Sequence, residues 1–125
     1  PRRCGWFDLP AARYAAALNG FTSLAFTKFD ILSGLGEIAV CTGYQLDGEL
    51  VTRFPRDAAR LERAKPVLAT FPGWSGDISE ARRLEDLPEA ARHYLDFLTE
   101  SLGLPVSLLG VGPDRRQILD LAAGR

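Results

Sequence analysis

The sequence predicts a mixed α/β fold, in one domain or in a piece of a larger one, and three observations support this. Segments with apolar residues at helical spacing alternate with short apolar runs that are typical of strands. The pair Asp47-Gly48 separates two strand-like segments and indicates one antiparallel hairpin. The 125 residues are 46% hydrophobic and 25% charged, which is the balance of a globular protein with a real core.

The helices are predicted from their caps and apolar stripes. Asp8 caps the first helix, which starts with Leu9 and Pro10 and ends at Asn19-Gly20. The longest helix follows a capping-box-like pair, Asp86 with Glu89, and ends at Gly103. A shorter helix is expected over residues 57–64.

The strands are predicted from apolar runs and from alternation. Phe21 to Phe26 is expected to be a strand buried on both faces. From Glu37 the apolar residues follow a period of two, with Ile38 and Val40 on one face. The return strand of the hairpin is Glu49 to Phe54. The remaining predicted strands cover residues 66–71 and 104–109, and a turn is expected over residues 33–36.

Composition argues against several classes of protein. The formal net charge is −1, which argues against a protein that binds nucleic acid or a membrane surface. No apolar run approaches the roughly 18 residues that span a bilayer. The cysteines Cys4 and Cys41 have no metal-like partners nearby, and His93 is the single histidine, so we expect free thiols and no zinc site.

Lys28-Phe29-Asp30 lies where an apolar strand ends, which is where ligands bind in α/β proteins. A carboxylate there can accept two hydrogen bonds from guanine, from N1–H and from the 2-amino group. Adenine offers no such pair of donors, so one aspartate selects guanine. The alternative is a solvated turn, since lysine and aspartate are common at the ends of strands.

Two further segments allow a similar pair of interpretations. Gly110-Val111-Gly112-Pro113 also follows a strand, and its glycines would let backbone amides approach a planar ligand. On this motif alone, a plain turn before Pro113 is the commoner interpretation. Arg2-Arg3 suits carboxylate or phosphate recognition, or is a solvated basic patch.

Several segments carry a family likeness: Phe21 to Asp30 (FTSLAFTKFD), Leu35 to Ile38 (LGEI), Phe71 to Trp74 (FPGW), the Leu87-Pro88 helix with Ala91 and Tyr94, and Gly112 to Arg115 (GPDR). In this order they closely resemble adenylosuccinate synthetase. The opening Pro1 to Asp8 (PRRCGWFD) is similar to the basic substrate loop of that family. The resemblance covers essentially all 125 residues in order. It implies the C-terminal part of a P-loop-NTPase-like fold.

The resemblance also implies an activity and a set of roles. Enzymes of this family join IMP and L-aspartate with GTP and Mg²⁺. Lys28, Phe29 and Asp30 would hold the guanine base, with Asp30 as the selector. Gly110, Val111 and Gly112 would close over the same base from another strand end. Arg2 would reach the GTP and aspartate region, and Pro1 with Arg2 would contact substrate.

The family pattern also has parts without a match in this chain. The phosphate loop, the catalytic aspartate and histidine, and the Mg²⁺ ligands belong to the family's N-terminal part, so we expect no catalytic residue and no metal ligand here. The chain has no methionine and opens within a motif, so we expect a fragment, inactive alone. The resemblance implies a cytoplasmic homodimer. The alternatives are a free-standing guanine-nucleotide-binding module without catalysis, and an interaction domain with vestigial nucleotide loops.

Overall fold

A computed structural model describes residues 2–122, and they form two compact units. Unit 1 comprises residues 2–20 and 39–70, and unit 2 comprises residues 21–38 and 71–122. The strands and helices, in chain order, are β1 (Phe7–Asp8), α1 (Leu9–Asn19), β2 (Leu24–Phe26), β3 (Glu37–Leu46), β4 (Glu49–Val51), α2 (Ala58–Arg63), β5 (Lys65–Pro72), α3 (Glu89–Leu102), β6 (Val106–Gly110) and β7 (Ile118–Asp120). Two short 3₁₀ helices cover Phe29–Leu32 and Leu84–Asp86.

Two sheets, each with parallel and antiparallel pairs, confirm the predicted mixed α/β class. The first has the order β1-β3-β4, with β5 also paired to β3. Its β1 is parallel to β3, whereas β3 and β4 are antiparallel. The second has the order β2-β6-β7, in which β2 and β6 are parallel and β7 is antiparallel to β6.

The predicted hairpin is confirmed, although its return strand ends at Val51 rather than Phe54. Asp47 and Gly48 both have positive φ, at 51° and 81°. Positive φ at both central residues is the geometry that matches the twist of a two-residue hairpin. The Arg63 guanidinium also pairs with the Asp47 carboxylate at 3.2 Å.

The burial predicted for the strand Phe21 to Phe26 is wrong, and the burial of β3 does not follow the period of two in its sequence. In β2, which covers only Leu24–Phe26, Ala25 is exposed, and Phe21 before it is 44% exposed. This strand pairs only with β6 and is at the edge of its sheet, and the described residues do not cover both of its faces. By contrast, residues Ile38 to Cys41 of β3 are all buried instead of alternating. Because β3 pairs with three strands, its position in the sheet outweighs its sequence period.

The caps of α1 are confirmed, and the proposed cap of α3 is wrong. The Asp8 carboxylate accepts a hydrogen bond from the Ala11 amide at 3.1 Å, and Gly20 ends α1 with φ of 65°. Asp86 instead accepts from the Arg82 and Arg83 amides, and Pro88 precedes the first residue of α3. A proline before a helix presets the backbone without a side-chain cap.

Strand β7 has no counterpart in the prediction. It contains only three residues and follows a charged turn, so its own sequence carries little strand signal. Pairing with β6, where Leu119 lies opposite Leu109, stabilises it. Among residues 2–122, no helix has both the length and the apolar character needed to cross a bilayer. Both cysteines in the described part of the chain have free thiols, as predicted.

Candidate functional site

The two loops singled out in unit 2 lie side by side. Strands β2 and β6 are parallel, and Phe26 lies opposite Leu109, so both strands end at the same edge of the sheet. Gly110 directly follows Leu109 and packs against the backbone after Phe26. A Cβ atom added at Gly110 would lie 3.3 Å from the Thr27 Cα and 3.6 Å from the Lys28 nitrogen. Any residue with a side chain at position 110 would therefore press on the neighbouring loop.

The backbone turns sharply at Lys28. This residue has φ of 59° and ψ of 34°, which is the left-handed conformation that residues other than glycine seldom adopt. The turn continues as the 3₁₀ helix Phe29–Leu32, in which the Ser33 amide donates to the Asp30 carbonyl at 3.1 Å. Unfavourable backbone conformations of this kind are concentrated at ligand sites.

The charged groups of this turn are available to a ligand. Lys28 is exposed, and Asp30 is half-buried. Neither the Lys28 ammonium nor the Asp30 carboxylate forms an ion pair or a hydrogen bond with any residue in the range 2–122. A half-buried carboxylate without a partner suits recognition of a ligand that brings its own donors.

Phe29 has a different role from its two neighbours. Its side chain is only 3% exposed and stacks on Trp74, with ring centroids 5.2 Å apart and an interplanar angle of 24°. Tyr94 of α3 lies on another side, with its ring centroid at 5.8 Å. Phe29 therefore anchors the turn in the core of unit 2, and only its backbone is left for a ligand.

Trp74 supports the same turn through polar contacts that the sequence did not reveal. Its indole Nε1 donates to the Ser33 hydroxyl at 2.9 Å, and its carbonyl accepts from the Gly34 amide at 2.8 Å. The preceding residue, Gly73, donates its amide to the Gly36 carbonyl at 2.7 Å. In the sequence, the segment Phe71 to Trp74 indicates only a family likeness, and no spacing rule predicts which loop it holds.

The glycine-rich loop after β6 is held by Gln117, a second residue that the sequence analysis missed. The Gln117 side-chain oxygen accepts from the Asp114 amide at 2.9 Å, and the Gln117 carbonyl accepts from the Val111 amide at 2.9 Å. A Cβ atom at Gly112 would collide with the Gln117 side chain. Val111 itself is fully buried, so its side chain packs in the core and its backbone borders the loop.

The remaining predicted site residues lie at the start of the chain. Arg2 is exposed and belongs to unit 1, whereas both loops belong to unit 2. Pro1 lies outside the described residues. The segment with Arg2 leads into β1, whose last residue, Asp8, accepts hydrogen bonds from the Ala11 amide and, at 2.5 Å, from the Tyr44 hydroxyl.

Two side chains near Asp8, those of Tyr44 and Cys41, have raised pKa values. Burial, and then the hydrogen bond to the Asp8 carboxylate, raise the pKa of the Tyr44 hydroxyl well above its ordinary value. Burial, followed by the negative charge of Asp8, also raises the pKa of the Cys41 thiol. A thiol with a raised pKa is a poor nucleophile.

The described part of the chain offers no candidate metal site, and its histidine is exposed. Residues 2–122 contain no group of three His, Cys, Asp or Glu side chains that could hold a metal ion. His93 lies on the exposed face of α3, where its Nε2 is 3.7 Å from Glu89. An exposed pair of this kind contributes little to stability or to chemistry.

Comparisons with known proteins all indicate one family. The family model described as adenylosuccinate synthetase matches residues 1–119. The chain is 50% identical over 119 residues to the adenylosuccinate synthetase of Salinibacter ruber, covering 95% of this chain and 27% of that protein. It is 48% identical over 124 residues to that of Acidothermus cellulolyticus, covering 98% of this chain and 29% of that protein.

A solved structure gives the same answer. The structure of fully ligated adenylosuccinate synthetase from Plasmodium falciparum matches with a TM-score of 0.91 and 36% sequence identity. The match covers 96% of this chain and 29% of that one. The chain thus spans less than a third of the length of the relatives that it matches.

Proposed function

Because this chain belongs to the adenylosuccinate synthetase family, we propose that it is part of a GTP-dependent ligase of purine biosynthesis. The ligase would form adenylosuccinate from IMP and L-aspartate and release GDP and phosphate. The part described here would supply guanine recognition. The observation that carries this proposal is the contact between the two loops at the ends of β2 and β6.

Asp30 is the group that we propose to select guanine. Its half-buried carboxylate has no partner among residues 2–122, so it is free to accept hydrogen bonds from N1–H and from the 2-amino group. Adenine would leave the carboxylate desolvated and unpaired, because its N1 is an acceptor and it has no 2-amino group. A charged acceptor that is removed from water and left without donors costs more binding free energy than the loss of an apolar contact.

Lys28 and the glycine-rich loop would hold the faces of the base. The alkyl stem of an exposed lysine can cover an apolar ring while its ammonium remains in water. Gly110 and Gly112 bring the backbone close to the ring, and Gln117 holds that backbone in place. Phe29 would act indirectly, by fixing the turn between Lys28 and Asp30 against Trp74.

Arg2 would contribute charge from the loop before β1, towards the GTP and aspartate, and Pro1 with Arg2 would contact substrate. A guanidinium suits both carboxylate and phosphate because its donors form a planar fork. Mg²⁺ does not fit the described residues, which offer no cluster of carboxylate ligands. We therefore propose that its ligands lie outside this part of the protein.

Partners and location follow from the family in the same way. We propose IMP, L-aspartate and GTP as substrates, an N-terminal part of the same enzyme as the partner that completes the active site, a homodimer, and a cytoplasmic location. The support is the family model over residues 1–119 and the share of each relative that the chain covers.

The activity is tested with the full-length protein that contains this chain. Adenylosuccinate and GDP should form together, and only when IMP, L-aspartate, GTP and Mg²⁺ are all present. The isolated 125-residue chain should give no turnover. The groups that position the transferred phosphoryl group and stabilise its charge supply most of the catalysis, and we propose that they lie in the N-terminal part of the enzyme. Failure of the full-length protein to form adenylosuccinate, or turnover at ordinary enzyme rates by the isolated chain, would contradict the proposal.

A further inference from the structure

Unit 1 contains a cavity of about 410 Å³ that none of the proposed GTP or substrate residues line. Its wall is formed by the first part of α1 and by the segment between β4 and α2. A volume of this size is within the range of about 300–1,000 Å³ that small-molecule sites occupy. The lining includes three arginines, Arg13, Arg53 and Arg56, and no carboxylate from the described residues.

Two arginines of this wall, Arg53 and Arg56, differ from Arg63, another arginine of unit 1. Elsewhere in the unit, Arg63 makes an ion pair with Asp47 through two nitrogens, at 3.2 and 3.3 Å. Arg53 and Arg56 are exposed and make no ion pair or hydrogen bond with any residue in the range 2–122. Two unpaired guanidinium groups in one concavity, those of Arg53 and Arg56, repel each other, and a bound anion relieves this repulsion.

Guanidinium groups indicate which anion would bind. Each presents several N–H donors in a planar fork that matches two oxygens of a phosphate. Thr52, also in the lining, adds a hydroxyl that can donate to the same oxygens. The chemistry of the wall therefore favours a phosphate with two or more negative charges.

The lining of the cavity also contains two aromatic rings. Tyr14 of α1 stacks on Phe54, with ring centroids 5.4 Å apart and an interplanar angle of 27°. Tyr14 is 37% exposed, so part of its ring faces outward. The pair is held on rigid backbone, because Asp8 caps α1 and Pro55, next to Phe54, is buried. Such a surface stacks on a flat heterocyclic ring.

We propose that this cavity binds a nucleoside phosphate. The phosphate would lie against Arg53 and Arg56, with Arg13 on the same wall. The ring would lie against Tyr14 and Phe54. This site is separate from the loops proposed to recognise guanine and requires no guanine-specific contact, so it is independent of the proposed function.

The test is calorimetric titration of the full-length protein with uridine 5′-diphosphate, which lacks the donor pair that Asp30 would select. Inorganic pyrophosphate and uridine, titrated separately, report on the phosphate and ring contributions. We expect uridine 5′-diphosphate to bind more tightly than pyrophosphate, and uridine alone to bind weakly. Both phosphate ligands should lose affinity as salt is added.

Matched variants locate the binding. The double variant Arg53→Ala/Arg56→Ala should weaken the binding of uridine 5′-diphosphate and of pyrophosphate by at least ~10-fold, because it removes two guanidinium groups whose hydrogen bonds to phosphate are charge-assisted. The control Arg60→Ala/Arg92→Ala removes the same charge from exposed residues outside the cavity and should change affinity less than ~2-fold. Tyr14→Ala should weaken the binding of uridine 5′-diphosphate but leave the affinity for pyrophosphate unchanged.

Three results would overturn the assignment. The first is no binding of either phosphate ligand at about 5 mM, which corresponds to an affinity too weak for a built site. The second is an equal loss of affinity in the two double variants. The third is pyrophosphate binding with no gain from the uridine moiety. Adenylosuccinate formation is measured separately, so failure here is distinct from failure of the proposed ligase.

Discussion

The indole of Trp74 donates a 2.9 Å hydrogen bond to the hydroxyl of Ser33, 41 residues earlier in the chain. The same indole stacks on Phe29, the central residue of the turn proposed to bind guanine. One side chain thus holds both the middle of this turn and the residue after its 3₁₀ helix. Its removal should loosen the turn without touching the ligand-facing groups Lys28 and Asp30.

We expect Trp74→Phe to lower the free energy of unfolding by more than about 1 kcal/mol, the usual net value of one hydrogen bond. The indole is only 5% exposed, so the smaller ring also leaves a cavity, and the loss is the sum of the bond to Ser33 and this cavity. Chemical denaturation of the wild type and the variant measures it. Trp6→Phe is the control, because the Trp6 indole is 44% exposed and has no hydrogen bond within the described chain. Equal effects of the two substitutions would argue against the bond.

Asp30→Asn in the full-length enzyme should weaken the use of GTP and leave IMP and aspartate binding nearly intact. The amide keeps one acceptor and turns an NH₂ towards a donor. The loss should be about 2–4 kcal/mol, or roughly 30- to 1000-fold in apparent affinity. Xanthine carries a carbonyl at the 2-position, which the amide can face, so use of xanthosine triphosphate should rise relative to GTP.

Lys28→Ala is the matched control for this change. It should weaken nucleotide binding without altering the preference, because the lysine stem packs on a face that all purines share. Steady-state kinetics with both nucleotides on both variants decide the matter. If the Asp30→Asn enzyme kept its GTP preference and its KM, this turn would be a solvated turn and not a guanine site.

Gly110→Ala should destabilise the fold through contact between the two loops. The added methyl group would lie 3.3 Å from the Thr27 Cα, which is backbone and cannot rotate away. Overpacking of this kind costs about 1–3 kcal/mol. Thermal or chemical unfolding measures the change. Gly5→Ala serves as the control, because no described atom lies within 4 Å of its added methyl; similar costs for both would contradict the close approach.

Gln117→Ala should raise the KM for GTP by about 3- to 10-fold and change kcat much less. The substitution removes the acceptor of the Asp114 amide and frees the loop beside Gly112. The loss of one hydrogen bond should weaken GTP binding by about 1 kcal/mol. Gln117→Glu keeps an acceptor oxygen and should restore most of the affinity. If Glu and Ala behaved alike in KM, the hydrogen bond would have no part in shaping the loop.

The alkaline stability of the protein should depend on Tyr44. Its pKa is raised in the folded state, from an ordinary value of 10.0, so the unfolded chain loses this proton first as the pH rises. The free energy of unfolding should therefore be unaffected by this group below about pH 10 and fall above it. Tyr44→Phe should lower stability at neutral pH by about 1 kcal/mol and show a smaller fall in alkali. Denaturation of both proteins at pH 8 and at pH 11 tests both expectations. If the free energy of unfolding of Tyr44→Phe fell in alkali as much as that of the wild type, Tyr44 would not be the group responsible.

The sequence alone determined the elements whose signals are local. The caps of α1, the end of α3 at Gly103, and the hairpin at Asp47-Gly48 each depend on neighbouring residues and on backbone conformations that few residue types adopt. It also determined the family, because several short motifs occur in one order along the chain. The positions of Lys28, Asp30 and the glycine-rich loop at strand ends were likewise predictable.

Tertiary structure decided what depends on pairing across long separations. The burial of β3 and the exposure of β2 follow from their places in the two sheets, not from their own periods. The existence of β7 depends on β6, and the support of the turn by Trp74 and of the glycine-rich loop by Gln117 depends on contacts that no spacing encodes. Phe29, adjacent in sequence to both charged residues of its turn, became a core residue because a 3₁₀ turn points consecutive side chains in different directions.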